Sequence, residues 1–466
     1  MPQAAEGGHL AGTAAPAAEA RPWGLALALL AGMGTLFFSS YGLANWLASQ
    51  RAAVPYFHFA WERHIPFVPW SIVPYWSIDL LYGLSFFLWR TRAALLTHVK
   101  RLLAAQLISV ACFIAFPLRF AFERPAAGGL PGQLFTLLGG FDKPFNQAPS
   151  LHISLLVILW VAYAMHARGG WRWLLHGWFA LIGLSVLTTY QHHAVDVPTG
   201  WLVGWFCVFL FPFGAREDAA GPAARARTHR LSLRYAAGAL AAAALAWLAL
   251  PGSVLAALLL GWLALALGCV AAIYRRGLPA LFQKRPDGGM PMAARWVLAP
   301  YQLGAFANLR WWTRRRPQAS EIVPGIWVGR FPGAAELRRL GADAVLDLTA
   351  ELPRLVPAAV AYRCVPVLDL TVPPPAQLDE AVSILDAWHG QGRKVLVCCA
   401  LGYSRSALVA AAWLAVRAPG EPLALLRKGR PQVVLGADSV AALADFIGRR
   451  QAAQSSGGAS HAGRNE

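Results

Sequence analysis

Eight long apolar stretches in the first 273 residues constrain the fold of this chain more than any other feature. Most of them approach the roughly 20 residues that a helix needs to cross the hydrocarbon core of a bilayer. The stretches are 23–48, 68–89, 102–118, 151–166, 172–190, 197–213, 235–250 and 253–273. Hydrophobic residues make up 57% of the chain and charged residues only 14%, whereas about 25% of a typical soluble domain is charged. The sequence therefore predicts a polytopic α-helical membrane bundle and excludes a disordered chain, a secreted disulfide scaffold and an ordinary soluble enzyme.

Basic residues outnumber acidic residues by 41 to 23, and their positions predict the orientation in the membrane. With the N-terminus inside, the inner segments carry 12 Lys and Arg and the outer loops carry five, which is the bias of cytoplasmic loops. The stretches 235–250 and 253–273 could also form a re-entrant hairpin, which would leave six full spans and the same parity. Either way, we expect a multi-pass protein of a bacterial inner (cell) membrane with a cytoplasmic C-terminal domain. Nucleic-acid binding is excluded because the positive charge follows the loops rather than one face of a domain.

Composition and hydropathy predict seven segments. The segments are a disordered N-terminus (1–22), a six-helix membrane domain (23–213), a basic linker (214–234), two further membrane helices (235–273), a basic interfacial linker (274–317), a soluble α/β domain (318–450) and a disordered tail (451–466). The six cysteines have no secreted-type spacing, which favours a reducing compartment.

Ionisable residues stand at the outer ends of predicted spans, where they are costly and are therefore functional candidates. His152 follows Ser150 at the start of one span, and His192 precedes Asp196 by four positions at the start of another. A carboxylate at that spacing can hold one imidazole tautomer, as a nucleophile or a base requires. His152 could act as a general acid. Three basic residues of the same outer loop could hold a phosphate: Arg119, Arg124 and Lys143. Interfacial histidines at helix ends are the alternative interpretation.

These motifs resemble the type-2 phosphatidic acid phosphatase superfamily over roughly residues 60–213. The resemblance implies a six-helix bundle with a metal-independent site. In that site His192 would attack phosphorus and form a phosphohistidine, Asp196 would orient it, and His152 would protonate the leaving group.

The resemblance is incomplete at the phosphate ligands. Arg124 matches the Arg of the family's Arg-Pro motif, but Pro117 and Val186 stand where the family has two further basic residues. Arg119 and Lys143 could substitute for them. Looser motifs of this kind are similar to the branch that includes inositol-phosphorylceramide and sphingomyelin synthases, in which the phosphoryl group passes to an alcohol. Hydrolase and lipid head-group transferase therefore remain alternatives.

From about residue 318 the pattern changes to short apolar runs that alternate with helical segments. The runs are 326–330, 344–349, 362–369 and 394–399, and the helical segments are 376–390, 405–417 and 437–449. This alternation predicts a soluble α/β domain with a parallel or mixed sheet and helices on both faces.

The last of these strands ends in a motif that suits an anion. Cys399 is followed by a five-residue loop and then by Arg405 and Ser406, which begin a predicted helix. The loop consists of Ala400, Leu401, Gly402, Tyr403 and Ser404. Backbone N–H groups of such a loop and the following helix N-terminus form a cradle for phosphate and favour a thiolate. Arg405 can clamp the phosphoryl oxygens, and Ser406 can donate to the sulfur. A buried structural cysteine with a surface arginine is the alternative.

The cradle is similar to that of dual-specificity phosphatases of the cysteine-based tyrosine phosphatase superfamily. The resemblance covers about 318–450, including the opening residues 320–329 and Arg430-Pro431. It implies that Asp369 is the general acid, with Asp347 and Asp379 as weaker candidates. Cys398 departs from the family, which has His before the nucleophile, and this substitution could reduce activity.

The sequence thus supports a main hypothesis and two alternatives. The main hypothesis is a bifunctional membrane phosphatase with a cysteine site inside and a histidine site outside, acting on phosphorylated proteins or phospholipids and contacting membrane lipids. Neither chemistry requires a metal or a cofactor. The alternatives are a lipid head-group phosphotransferase with a regulatory phosphatase-like domain, and a non-catalytic membrane receptor that binds phosphorylated partners.

Overall fold

The structure, a computed structural model, describes residues 20–213, 222–417 and 421–462. It divides into two compact units, Met1–Phe213 and Gly214–Glu466. The described part of the first unit contains seven α-helices: α1 (Trp23–Ser49), α2 (Ile72–Ser85), α3 (Arg92–Ala115), α4 (Gly129–Gly139), α5 (Leu151–His166), α6 (Trp171–Thr188) and α7 (Asp196–Leu210). Short 3₁₀ turns at Ala60–His64 and Pro69–Ser71 lie between α1 and α2.

Helix α5 forms the centre of the first unit, and α7 approaches it closely. A Cβ atom at Gly200 would lie 2.4 Å from the carbonyl oxygen of Ser150, and one at Gly204 would lie 2.7 Å from Cβ of Val157. Glycines four positions apart allow two helices to approach at this distance. The approach places the N-terminus of α7, with Asp196, beside the N-terminus of α5, and Ser150 N–H donates to the carbonyl oxygen of Asp196 at 3.3 Å.

The six apolar stretches predicted before residue 213 all contain helices, and the structure adds one helix that the sequence did not predict. Helix α4 makes the bundle seven-membered; its Gly129 and Pro131 favour a loop in the sequence, yet a proline in a first turn has no helical hydrogen bond to lose. In the described residues, four helices are long and apolar enough to cross a membrane by length and composition: Trp23–Ser49, Arg92–Ala115, Arg227–Ala249 and Val254–Arg276. The remaining apolar helices are shorter, with 14 residues in α2, 16 in α5 and 15 in α7.

The second unit begins with a helical hairpin, α8 (Pro222–Ala249) and α9 (Val254–Arg276). The predicted basic linker over 214–234 is therefore wrong for residues 222–234, which form the start of α8; residues 214–221 lie outside the described residues. The physical reason is tertiary packing: Leu231 is buried, and the Ser232 hydroxyl donates to the carbonyl oxygen of Ala271 in α9 at 2.9 Å. The hairpin groups with the C-terminal unit rather than with the first bundle.

The predicted interfacial linker over 274–317 also contains ordered elements. A 3₁₀ turn at Pro279–Phe282 is followed by α10 (Met292–Val297) and α11 (Ala299–Thr313). Leu309 of α11 is buried in the core on one side of the following sheet. These elements therefore belong to the folded C-terminal unit.

A five-stranded mixed sheet lies at the centre of the C-terminal domain, as predicted. Its strands are β1 (Ser320–Val323), β2 (Ile326–Arg330), β3 (Ala344–Thr349), β4 (Ala361–Val367) and β5 (Val395–Cys399), in the order β1-β2-β5-β3-β4. Strand β1 runs antiparallel to β2, and the other neighbours are parallel. The carboxyl ends of β5, β3 and β4 therefore meet at one edge, where open α/β sheets bind ligands.

Helices cover both faces of this sheet, which confirms the predicted layering. They are α12 (Ala334–Leu340), α13 (Pro375–Gly390), α14 (Arg405–Arg417), α15 (Pro422–Gly429) and α16 (Ala437–Ala462). Helices α13 to α16 contribute to the larger core, whereas α11 and α12 pack on the opposite face. The predicted disordered tail is wrong for residues 451–462, which extend α16. Residues 1–19 and 463–466 lie outside the described residues, so the predicted N-terminal disorder is untested there.

Candidate active site

Cys399 ends the central strand β5, and its sulfur lies inside the predicted anion cradle. The N–H of Gly402 donates to Sγ at 3.2 Å, and the Ser406 hydroxyl lies 3.3 Å from it. Gly402 has φ +73°, and a Cβ there would lie 2.3 Å from the backbone of Gly329 in β2, so glycine is required by both conformation and space. The loop from Ala400 to Ser404 therefore turns tightly around the sulfur, and α14 begins at Arg405 as predicted.

Arg405 is buried and held by two carboxylates. Its guanidinium donates to both oxygens of Glu351, at 3.2 and 2.9 Å, and to Oδ1 of Asp369 at 2.8 Å. It also donates to the carbonyl oxygen of Val367 at the end of β4, at 2.8 Å. A planar guanidinium fixed by a bidentate carboxylate keeps its orientation at little further entropic cost. The structure thus brings Cys399 and Arg405 into one cradle with Asp369 at its edge.

The pKa values of the two carboxylates beside Arg405 are shifted in opposite directions. Burial raises the pKa of Asp369; the Arg405 charge opposes this effect and the Glu351 charge adds to it, so the net shift is upward. Burial alone would also raise the pKa of Glu351, but the charge and hydrogen bonds of Arg405 outweigh burial and hold this pKa below its usual value. The side chain of Asp369 remains 39% exposed, whereas that of Glu351 is 4% exposed. Asp369 is therefore the group suited to carry a transferable proton, and Glu351 stays charged.

Arg430 supports the cradle from behind. Its Nε donates to the carbonyl oxygen of Gly402 at 2.9 Å, and its Nη1 donates to Gln318 O and Ser320 Oγ, both at 3.2 Å. The Arg430 side chain is fully buried, and this burial lowers its pKa. Arg430, which the sequence offered only as part of a family pattern, thus ties the turn of the cradle to the chain that leads into β1.

A buried ion pair lies beneath Cys398. Lys284, which follows the 3₁₀ turn after α9, donates to Asp347 of β3 and to both oxygens of Thr349, at 2.9 and 2.8 Å. Neither side chain of the ion pair is exposed. The Sγ of Cys398 lies 4.0 Å from Asp347 Oδ1, and the Tyr362 hydroxyl donates to the same carboxylate. Cys398 therefore packs over a satisfied charge cluster, at the position where the resemblance drawn from the sequence implies a histidine.

The weaker general-acid candidates are not at the cradle. Asp347 is committed to Lys284, and Asp379 of α13 pairs with Arg449 of α16 at 3.3 Å. Asp369 alone among the three predicted candidates contacts Arg405, which favours it as the general acid.

In the first unit, His192 and Asp196 form the predicted pair. Nδ1 of His192 lies 3.2 Å from Asp196 Oδ2, and its Nε2 lies 3.0 Å from the Ser150 hydroxyl. The His152 ring stacks on Tyr75 with centroids 4.2 Å apart, and its Nε2 is buried without a hydrogen-bond partner among the described residues. Both histidines line one cavity of about 50 Å³.

The predicted phosphate ligands do not enter that cavity. Arg124 donates to the carbonyl oxygens of Thr189 and Tyr190, at 3.1 and 3.3 Å. Arg119 donates to the carbonyl oxygen of Val54 at 3.2 Å, and Lys143 is exposed. The cavity contains two carboxylates instead, Asp79 and Asp142. The expectation that Arg119 and Lys143 replace the missing basic ligands is therefore not met by this geometry.

Sequence reasoning missed three buried charged residues. Glu351 contacts Arg405 and Lys284 contacts Asp347, and both partners lie far away in the sequence. No local motif therefore identifies Glu351 or Lys284. Glu62 accepts from the Phe59 and Ala194 N–H groups and contacts His193 Nδ1 at 2.8 Å, which fixes the turn that carries His192. A charged residue in a strongly apolar region is the signal that could have identified Glu62.

Residues 326–435 match the family described as "Dual specificity phosphatase, catalytic domain". The C-terminal domain is therefore a dual-specificity phosphatase catalytic domain, and the predicted phosphoric monoester hydrolase class is confirmed for that domain. The chain is similar to "Dual specificity protein phosphatase 2" of Mus musculus, with 35% identity over 98 residues, and to that of Homo sapiens, with 34% over 98 residues. Each match covers 20% of this chain and 31% of the relative, so the chain spans about a third of the length of these curated relatives.

A solved structure described as "Crystal structure of Tk-PTP in the active form" is similar over 29% of this chain and 99% of its own. The identity is 28% and the TM-score is 0.27.

Proposed function

We propose that this chain is a membrane-bound phosphomonoester hydrolase that works through a cysteinyl-phosphate at Cys399. The observation that carries the proposal is the closed arrangement around the sulfur: Gly402 N–H at 3.2 Å, Ser406 at 3.3 Å, and Arg405 joined to Asp369 at 2.8 Å. The match of residues 326–435 to the phosphatase catalytic domain supports the same chemistry.

In the first step, the Cys399 thiolate attacks phosphorus and the bond from phosphorus to the ester oxygen breaks. Asp369 donates its proton to that oxygen, so the alcohol leaves neutral. The cradle N–H groups and the Arg405 guanidinium stabilise the negative charge on the equatorial oxygens. Asp369 suits this role because its pKa is raised by burial.

In the second step, water attacks the phosphocysteine. Asp369, now a carboxylate, accepts a proton from the water, and the sulfur–phosphorus bond breaks. Ser406 can donate a hydrogen bond to the departing thiolate from 3.3 Å. Inorganic phosphate leaves, and the protonated Asp369 and the Cys399 thiolate are restored without a metal or cofactor.

We further propose that the catalytic domain lies on the cytoplasmic side of a membrane. The four long apolar helices found in the described residues support membrane insertion, and the excess of basic residues in alternate loops supports an inner N-terminus and C-terminus. Cysteine-accessibility mapping in intact cells tests the orientation: labelling of residues in the 318–450 region without permeabilisation contradicts it.

The enzymatic proposal is tested with full-length protein in detergent and a generic aryl phosphate. We expect vanadate-sensitive turnover that is abolished in Cys399→Ser and retained in Cys112→Ser, a matched change in the first unit. A phosphoenzyme trapped by acid quench maps to the peptide that contains Cys399. Turnover that persists in Cys399→Ser refutes the proposal. Tight phosphopeptide binding without turnover supports the non-catalytic receptor instead.

A second phosphoryl-transfer site at His192 is favoured by one observation, the relay from Asp196 through His192 to Ser150. Because Asp196 contacts Nδ1, Nε2 is the ring nitrogen that would attack phosphorus, and the Ser150 hydroxyl must turn away from Nε2 before that attack. The nearby Asp79 and Asp142 disfavour a dianion. Incubation of membranes with labelled phospholipid tests this second proposal. Loss of a lipid product in His192→Ala, with Cys399→Ser unaffected, supports it, and equal products in His192→Ala and wild type refute it. A labelled alcohol acceptor distinguishes the head-group transferase from the hydrolase.

A further inference from the structure

A cavity beside the catalytic cradle has one wall made of the helices that precede the domain. Its volume is about 270 Å³. Ala400 and Leu401 of the cradle line it together with the two carboxylates, Glu351 and Asp369. The opposite wall comes from the hairpin and from α11, and includes Tyr235, Leu263, Leu267, Tyr301 and Gly304. The catalytic site therefore opens toward apolar helices of the same unit.

Specific contacts hold these helices against the site. The hydroxyl of Tyr274 in α9 donates to the backbone carbonyl of Asp369, the proposed general acid, at 3.2 Å. The rings of Tyr235 and Tyr274 lie 5.1 Å apart, and those of Tyr235 and Tyr301 lie 5.8 Å apart. This cluster joins α8, α9 and α11 to the loop that carries the acid, so the wall of the cavity is a built part of the active site.

The same hairpin is suited to insertion in a bilayer at its other end. Large apolar side chains there are exposed, such as Leu240 at 72% and Leu248 at 73%, and α9 is long and apolar enough to span. Leu267 and Leu263 lie about 14 and about 20 Å along the axis from the C-terminal end of α9, at a rise of 1.5 Å per residue. The cavity thus runs from the cradle along the apolar part of a membrane helix.

The charges around the cavity limit what its occupant carries. Among the described residues no Lys or Arg lines it, and Glu351 and Asp369 add negative charge. The cradle offers Arg405 and backbone N–H groups, which match one phosphoryl group. A second phosphate on the same head group would meet carboxylates and apolar side chains, which is unfavourable in a partly desolvated site.

We propose that the substrate of Cys399 is a membrane lipid with a single phosphomonoester as its head group, which enters between α9 and α11. This inference rests on the phosphatase activity proposed above. The acyl or prenyl chain lies along Leu263 and Leu267 while the phosphate occupies the cradle. Cys399 takes the phosphoryl group, Asp369 protonates the lipid oxygen, and the neutral lipid alcohol stays in the bilayer. Water then releases inorganic phosphate to the aqueous side.

The test uses the full chain in nanodiscs with four substrates: phosphatidic acid, a bis-phosphorylated phosphoinositide, a phosphotyrosine peptide and a soluble aryl phosphate. Gly304→Leu fills the cavity from α11, and a Cβ at Gly304 meets no atom within 4 Å, so the backbone tolerates the change. Gly261→Leu is the matched control, because Gly261 lies in α9, also has open space, and does not line the cavity. Leu267→Trp fills the cavity from α9.

We expect phosphatidic acid to be hydrolysed with a higher kcat/KM than the phosphoinositide or the peptide. In Gly304→Leu and Leu267→Trp, the ratio of kcat/KM for phosphatidic acid to kcat/KM for the aryl phosphate should fall about tenfold, since an overfilled cavity excludes the chain. Gly261→Leu should keep the wild-type ratio. Partial misfolding lowers kcat/KM for both substrates and leaves their ratio unchanged, whereas a blocked cavity lowers the ratio.

The outcomes distinguish this inference from the activity on which it rests. If wild type does not hydrolyse the aryl phosphate, or Cys399→Ser does so equally well, the phosphatase proposal fails. If aryl hydrolysis depends on Cys399 but the peptide or the phosphoinositide is the better substrate, the lipid inference is overturned. An unchanged ratio in both cavity variants overturns it as well.

Discussion

Replacement of Lys284 by Met should destabilise the catalytic domain, although this residue lies 42 positions before the matched region begins at residue 326. The Lys284 ammonium donates to Asp347 and to two oxygens of Thr349, and neither charged side chain of the pair is exposed. Removing one partner of a buried ion pair costs about 3–5 kcal/mol, because the other charge stays buried. Asp347 keeps hydrogen bonds from Tyr362 and Thr349, so we expect a loss of about 3 kcal/mol, the lower end of that range.

The assay is thiol labelling of the native full-length protein, read by mass spectrometry at Cys398. This cysteine lies in β5 with no exposed surface, so a reagent reaches it when the sheet opens. A loss of about 3 kcal/mol corresponds to labelling that is roughly 100-fold faster. Lys394→Met, a change at an exposed lysine just before β5, is the matched control and should label at the wild-type rate.

The double variant Lys284→Met/Asp347→Asn should recover most of the loss, since it removes the unpaired charge. The pKa of Lys284 is raised: burial alone would lower it, but Asp347 outweighs burial. A raised lysine pKa contributes stability that is present below the unfolded pKa and is lost as pH rises through the folded one. The free energy of opening lost in Lys284→Met, relative to wild type, should therefore be the same at about pH 6 and about pH 9. An unchanged labelling rate in Lys284→Met, or a double variant as labile as the single, would refute the reasoning.

Three further outcomes follow from the site. Glu351→Gln leaves one acceptor for Arg405 and removes the second acceptor and the negative charge. We therefore expect kcat/KM for an aryl phosphate to fall about ten- to a hundred-fold, consistent with about 1.5–3 kcal/mol. A fall under about threefold, well below that range, contradicts a positioning role. Asp369 must be protonated to act as the general acid, and its pKa is raised. Hydrolysis of an alkyl phosphate should therefore continue at pH values above the usual pKa of a carboxyl group and then decline as Asp369 ionises. Asp369→Asn should remove this decline from the pH–rate profile, and a decline that survives in the variant excludes Asp369 as the acid. A fragment that begins at residue 318 lacks Lys284 and should melt at a lower temperature than one that begins at 278, measured by scanning calorimetry; equal melting temperatures contradict this.

Local sequence was sufficient for the cradle. The strand, the loop with Gly402 and the helix that begins at Arg405 follow one another without interruption, and short-range geometry determines how they meet. The mixed sheet and its two covered faces were also predictable, because each strand and helix has its own hydrophobic period. These features depend on neighbours in the chain.

The remaining features depend on residues far apart in sequence. Glu351 contacts Arg405 across 54 positions, and Lys284 reaches Asp347 across 63. Residues 222–234 have a polar, basic composition typical of a linker, yet they are helical where Leu231 and Ser232 pack against α9. In the first unit, Arg119 had the right charge and the right loop for a phosphate ligand, but the fold directs it to the carbonyl oxygen of Val54.

The contact between Arg405 and Asp369 has a consequence for the binding equilibrium. The Arg405 Nη2 atom donates to Glu351 and to Asp369, and an arriving phosphate dianion competes with Asp369 for this atom. As the anion takes the guanidinium, Asp369 loses the positive charge that opposed its protonation, and it gains a negative neighbour. At a pH at which Asp369 of the free enzyme is ionised, we expect the site to take up a proton as it fills, so that an oxyanion binding to Cys399→Ser gives a heat that varies with the ionisation enthalpy of the buffer. Binding of the substrate and protonation of the general acid Asp369 would then be thermodynamically coupled.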